Sequence, residues 1–91
     1  MVGSNMDEFI VYSKDGCPFC VKAINLLKMK KKTHKEMKLD RDIDRNSLLE
    51  AIQYYGHGRT MPMIVQTDDG SGNTVRIGGY DELVKYFQEN K

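Results

Sequence analysis

No apolar run in this 91-residue chain approaches the roughly 18 residues that a membrane helix needs, so a membrane-spanning role is not expected. An excess of charge of one sign is also missing. Fourteen basic against 13 acidic residues leave a formal net charge of +1, without the positive surplus of a protein that binds by neutralising phosphates, so nucleic acid is not an expected partner. The N-terminus lacks a basic segment followed by an apolar core and a cleavage site, and a cytoplasmic, unexported protein is the expectation. There is no internal repeat and no low-complexity stretch, and the length allows one compact domain but not two. Residues 1–5 (MVGSN) precede a second Met at position 6 and carry no pattern, so they read as a tag remnant or a frayed end, with residues 6–91 as the single domain. The only two cysteines, Cys17 and Cys20, are three residues apart, too close to staple a fold by closing a long loop. A local, chemical use is expected for them.

What is present is a regular succession of periodic segments. Glu8–Ser13 (EFIVYS) is β-branched and aromatic and stops at the turn residues Lys14-Asp15-Gly16, which predicts a buried strand. Pro18 suits a first helical turn, and Cys20, Ala23, Ile24, Leu27 and Lys31 follow helical spacing, which predicts a helix from Pro18 to about Lys32. Lys28, Lys30, Lys31, Lys32 and Lys35 crowd its far end, where positive charge complements the helix dipole. Lys35–Leu39 alternates as a second strand. Leu48, Leu49, Ile52 and Tyr55 predict a second helix, capped by Asp44 or Ser47 and ended by Gly56 and Gly58. Met63–Thr67 and Thr74–Ile77 flank a dense cluster of turn formers at 68–73 and should pair as a hairpin. Asp81 is the expected cap of a last helix that buries Leu83, Val84 and Phe87. The order βαβαββα predicts an α/β fold, a four-stranded mixed sheet with helices on both faces and a right-handed crossover in its first βαβ unit.

A C-x-x-C pair that follows a strand and opens a helix is the arrangement of a dithiol redox site. At the helix start Cys17 would face unsatisfied N–H groups and the positive dipole end, with Lys14 adding charge, so its thiol is expected below the free value of about 8.5. Cys17 is then the attacking sulfur, and Cys20, one turn deeper on the apolar face, the resolving one. A zinc site fails on ligand count, because His34 and His57 lie far apart and no second C-x-x-C exists, so no metal is expected. His57 reads as part of a glycine-flanked turn.

Three separated motifs then resemble the glutaredoxins. Lys14-Asp15-Gly16-Cys17-Pro18-Phe19-Cys20 is similar to that family's K-x-x-C-P-Y/F-C segment, Thr60-Met61-Pro62 to its T-V-P segment, here preceded by Arg59, and Gly78-Gly79-Tyr80-Asp81-Glu82-Leu83 to its G-G-x-S/T-D-L entry to the last helix. The short length and these variants look most like small phage-type members. The resemblance implies a thioredoxin-like fold, a cis Met61–Pro62 bond, and a glutathione-dependent oxidoreductase that reduces protein disulfides and glutathione mixed disulfides. Glutathione would be a co-substrate, with no tightly bound cofactor. The backbone of Met61 would pair with the cysteinyl residue of the substrate. Lys14 and Arg59 would meet the glycyl carboxylate, and the helix start at Tyr80 to Glu82 the γ-glutamyl carboxylate. Gly78-Gly79 would allow close approach, and Phe19 would form a cleft wall. Asp81 stands where relatives have Ser or Thr, and Glu82 where they have Asp, so either could meet the glutathione amine. The resemblance points to disulfide-containing client proteins, ribonucleotide reductase among the candidates, and to a monomer. The alternatives are a thioredoxin-like protein reduced by a flavoenzyme, against which the absence of Trp and the Pro18-Phe19 pair count, and a C-x-x-C module that binds a metal or an iron–sulfur cluster.

Overall fold

Phe9, Val11 and Ser13 are buried on one face of strand β1 (Glu8–Ser13), while Glu8, Ile10 and Tyr12 are half-buried on the other. The structure is a computed structural model that describes residues 8–58, 60–67 and 74–89. After β1 come α1 (Pro18–Met29), β2 (His34–Lys38), α2 (Arg45–Tyr55), β3 (Met63–Thr67), β4 (Thr74–Gly78) and α3 (Tyr80–Glu89). The sheet runs β2-β1-β3-β4, with β1 parallel to β2 and the other two pairings antiparallel. This is the expected mixed sheet, with helices on both faces.

Register explains the layering. Val11 lies opposite Ile64 on the face that meets α1 and α3, and these strand residues join Phe9, Ala23, Leu27, Leu83 and Phe87 in one core cluster. Phe9 meets the ring of Tyr86 edge-on and that of Phe87 at a tilt, each at 5.8 Å between centroids. Each large side chain buried here contributes about 1.5–3 kcal/mol of transfer free energy. Ile10 and Tyr12 pair with Val65 and Met63 on the opposite face, and Leu48 is the buried side chain of α2. Ser13, a buried polar residue at the end of β1, donates its hydroxyl to Glu36 at 2.6 Å and so ties the strand end to β2.

Element boundaries depart from expectation at the end of α1, at β2 and at the start of α3, and at α2 one of the two expected caps is the real one. α1 stops at Met29 instead of continuing to Lys32, because Lys31 adopts a left-handed φ of 56°. The N–H of Lys31 then donates to Lys28 O, and that of Lys32 to Leu27 O, each at 3.0 Å, which satisfies carbonyls that a longer helix would have used. Of the clustered lysines only Lys28 lies in the last turn, and Lys30 to Lys32 form the exit. β2 begins and ends one residue earlier than its alternation suggested. α2 is capped by Asp44, whose carboxylate accepts the N–H of Ser47 at 2.8 Å, so Ser47 is inside the helix and is not its cap. Asp81 likewise lies inside the first turn of α3. The turn at 68–73 and the N-terminal residues 1–5 lie outside the described residues.

Candidate active site

Gly16 leaves the strand–helix loop with φ +68° in open space, and Cys17 follows in extended geometry as the residue that caps α1, with Pro18 in the first helical turn. This order places the sulfur at the helix N-terminus. The Cys17 carbonyl accepts the N–H groups of Cys20 and Val21 at 3.1 and 3.3 Å, and its Sγ accepts the N–H of Cys20 at 3.2 Å. Cys17 and Cys20 are joined as a disulfide with their Cα atoms 5.3 Å apart. Cys17 is 9% exposed and Cys20 3%, so the residue expected to attack is the less buried of the pair. After reduction, a charge on Cys17 would sit on a backbone donor at the positive end of the helix dipole.

The neighbouring acid is neutralised. Lys38 Nζ lies 2.7 Å from the Asp15 carboxylate, and its hydrogen bond, followed by its charge, holds that carboxyl below the usual range. Lys14 has no such carboxylate partner among the described residues.

Beside the disulfide a cleft of about 170 Å³ gathers Phe19 from α1, Thr60, Met61 and Pro62 from the α2–β3 connection, and Gly79, Tyr80, Asp81 and Glu82 from the start of α3. The three sequence motifs therefore meet at one place. The Met61–Pro62 bond is cis. Phe19 is 52% exposed, and its ring lies 6.0 Å from that of Tyr80 and under the ammonium of Lys22. Cys17 flanks this cleft without lining it. Lys14 lines an adjoining groove that shares Met61 with the cleft, and Arg59 lies outside the described residues.

The start of α3 resolves its two acids. Glu82 folds back so that its Oε1 accepts the Gly79 N–H at 2.8 Å, and Leu83 N–H donates to Gly79 O at 3.0 Å. The N–H groups of Tyr80, Asp81 and Glu82 are left as the first-turn donors without an intrahelical acceptor. Asp81 is exposed, and its carboxylate has no partner among the described residues. Gly78 has φ +126°, and a Cβ there would lie 2.8 Å from Glu82 Cγ, so the glycine makes room for the folded-back side chain.

One site residue was not legible in the sequence. His57 joins the cleft wall to the sheet: Arg76 Nε donates to its Nδ1 at 3.1 Å, and its Nε2 lies 2.9 Å from Thr60 O. A guanidinium can only donate and a carbonyl only accept, so both bonds together require the neutral ring with hydrogen on Nε2. No spacing rule links positions 57, 60 and 76. Among the described residues no group of three or more His, Cys, Asp or Glu stands ready to hold a metal.

Comparisons with known proteins agree on one family. The glutaredoxin family model matches residues 9–70. Glutaredoxin-C6 of rice (Oryza sativa subsp. japonica) is 33% identical over 82 residues, covering 90% of this chain and 68% of that protein. The crystal structure of glutaredoxin 1 from Francisella tularensis, complexed with cacodylate, superimposes with a TM-score of 0.70 at 25% identity, covering 93% of this chain and 99% of that one. The buckwheat glutaredoxin–glutathione complex gives a TM-score of 0.71 at 25% identity, covering 96% and 74% respectively.

Proposed function

Since the chain belongs to the glutaredoxin family of thiol–disulfide oxidoreductases, we propose that it draws electrons from glutathione to reduce protein disulfides and glutathione mixed disulfides, with Cys17 attacking and Cys20 resolving. The observation that carries this reading is the cleft beside the Cys17–Cys20 disulfide, which Phe19, the Thr60–Pro62 segment and the start of α3 line together. The buckwheat relative is a complex with glutathione.

In the monothiol route the Cys17 thiolate attacks the glutathionyl sulfur of a mixed disulfide, forming a Cys17–glutathione disulfide and expelling the client as a thiolate that takes a proton. A second glutathione thiolate attacks the glutathionyl sulfur, releasing oxidised glutathione and regenerating Cys17. For a protein disulfide, Cys17 attacks one client sulfur and the other leaves. The Cys20 thiolate then attacks the Cys17 sulfur, frees the client dithiol and closes the Cys17–Cys20 disulfide. Two glutathione molecules reopen that disulfide in sequence, supplying the two electrons. The family's potentials, about −200 to −230 mV, suit a glutathione donor in a reducing cytosol.

Bound glutathione would rest its γ-glutamyl carboxylate on the N–H groups of Tyr80, Asp81 and Glu82, with Gly79 allowing close approach. Asp81 would meet its amine, since the Glu82 carboxylate is already occupied by Gly79 N–H. The cysteinyl backbone would pair with Met61 between Thr60 and Pro62, with Phe19 as the apolar wall, and the glycyl carboxylate would turn to Lys14 and Arg59. Ribonucleotide reductase is one candidate client.

The test is to titrate both reduced thiols by pH-dependent alkylation and to assay mixed-disulfide reduction with glutathione in Cys17→Ser and Cys20→Ser. Cys17 should react in its thiolate form below the free-thiol range, Cys17→Ser should be inactive, and Cys20→Ser should keep the monothiol route. Equal loss in both variants, or an ordinary Cys17 titration, would overturn the assignment.

A further inference from the structure

The loop between β1 and α1 carries one acid, Asp15, two residues before Cys17. Cα atoms two residues apart lie within about 7 Å, and a negative charge at that range disfavours a thiolate. Lys38, the last residue of β2, lies against this acid. β1 and β2 run parallel with Ser13 opposite Lys38, and Leu39 N–H donates to Ser13 O at 2.9 Å, so the end of β2 sits beside the start of the loop. Lys38 Nζ reaches the Asp15 carboxylate at 2.7 Å from a side chain only 30% exposed. The lysine backbone is held from both sides. Its N–H donates to the Asp42 carboxylate at 3.0 Å, and its carbonyl accepts the N–H groups of Arg41 and Asp42 at 3.1 and 2.8 Å.

The other charges around the loop have different engagements. Arg41 binds Asp42 and Glu36, at 2.6 and 3.3 Å, and Glu36 also accepts the Ser13 hydroxyl. The hydrogen bond and charge of Lys38 hold the Asp15 carboxyl low, and Arg41 adds less than either. On α1, Lys22 holds its ammonium over the Phe19 ring, and on α2, Arg45 lines the groove that Lys14 borders. On α3, Glu82 accepts the Gly79 N–H and Asp81 is exposed. Lys14 is then the loop's own cation, and Asp15, its neighbour in sequence, is the acid that would offset it. We propose that Lys38 acts on the reacting sulfur through Asp15: by taking up that carboxylate it leaves the Lys14 charge uncancelled beside Cys17 and so favours the thiolate. Lys38 is a positioning residue for the reductase chemistry, and it lines neither the cleft nor the adjoining groove. The inference rests on the reading of Cys17 as the attacking thiolate and adds the residue that tunes it.

The experiment measures the rate of Cys17 alkylation by iodoacetamide against pH in the reduced full chain, with the labelled residue identified by peptide mass. The reagent is neutral, so the charges act on the sulfur and not on the reagent's approach. Lys38→Gln should slow the reaction by about twofold on the acid side of the profile, where the rate follows the thiolate fraction, without lowering the alkaline plateau. Lys38→Arg should follow wild type, and the double variant Asp15→Asn with Lys38→Gln should return to it. Salt at about 1 M, with a screening length of about 3 Å, should shrink the difference between Lys38→Gln and wild type. The bonds that fix residue 38 are made by its backbone, so these variants should fold. A Lys38→Gln profile that superimposes on wild type would overturn the proposal. So would equal slowing in Lys38→Gln, Asp15→Asn and the double variant at every pH, which would make the ion pair a clasp for the loop and nothing more. In both cases a wild-type titration below the free-thiol range keeps the Cys17 reading intact. A wild-type Cys17 that titrates as an ordinary thiol would instead overturn that reading, and this inference with it.

Discussion

The carboxylate of Glu82 accepts the N–H of Gly79 at 2.8 Å, so the side chain of the third residue of α3 closes the helix start from inside. This is half of a capping box: the acid satisfies the cap's N–H, while the cap, a glycine, returns no side-chain bond. The geometry separates two adjacent acids into a structural one and a free one.

Asp81→Asn should therefore raise KM for a glutathione mixed disulfide by about fivefold, the loss of one exposed charge pair, whereas Glu82→Gln, which still accepts from Gly79, should change it little. Gly78→Ala should cost about 1–3 kcal/mol in urea unfolding, because it combines a left-handed φ with a Cβ against Glu82. Equal effects of the two acid variants on KM would contradict this division.

His57 is expected to act by holding Thr60. His57→Gln can reproduce one acceptor and one donor, whereas His57→Lys offers donors only and His57→Ala neither. Steady-state kinetics should show KM for the mixed disulfide raised about threefold to tenfold in the Lys and Ala variants and nearly restored in Gln, with kcat little changed, in line with the loss of about one hydrogen bond. A uniform drop in all three variants, tracking thermal stability alone, would leave His57 without a positioning role.

Lys31 occupies the left-handed position that ends α1. Lys31→Gly should stabilise the protein by about 0.5–1 kcal/mol, a rise of roughly 2–6 °C in Tm by calorimetry, because the Cβ penalty disappears. An unchanged or lower Tm would show that the lysine side chain compensates for its backbone.

Acid should weaken the loops around β2 and α2. The N–H and then the side chain of Ser47 hold the Asp44 carboxyl below the usual range, and the hydrogen bond from Arg41, followed by that from the Lys38 N–H, does the same for Asp42. A carboxyl lowered in the folded state adds stability that is complete above its unfolded value of about 3.9 and is lost as pH falls through the folded value. Tm should therefore fall below about pH 4. Asp44→Asn, an equally good cap, should flatten part of that fall while leaving Tm near neutrality almost unchanged. A variant curve parallel to wild type at low pH would contradict the assignment.

Two helix ends show how far local chemistry carries. α1 and α2 close with the same pair of backbone bonds, from Lys31 and Lys32 in one case and from Gly56 and His57 in the other. Glycine announces such an end, and Gly56 was readable; a lysine in the same conformation does not, so α1 was expected to run on. Likewise the three motifs are visible in the chain and meet in one cleft, but spacing points to Asp81 as the cap of α3, because an acid before an apolar run is the usual signal and a side chain reaching back from Glu82 to Gly79 leaves no trace in spacing.

The order of elements, the buried first strand and the dithiol at a strand–helix junction are written in the chain itself, because hydrophobic period, turn residues and helix-end electrostatics act over a few bonds. Which acid stays free, how His57 bridges Thr60 to Arg76, and that Lys14 shares an apolar groove with Arg45 and Leu49 emerge from the folded arrangement alone. Those outcomes depend on side chains brought together by sheet register and helix packing from distant parts of the chain, where angstrom distances, not residue types, settle which partner wins.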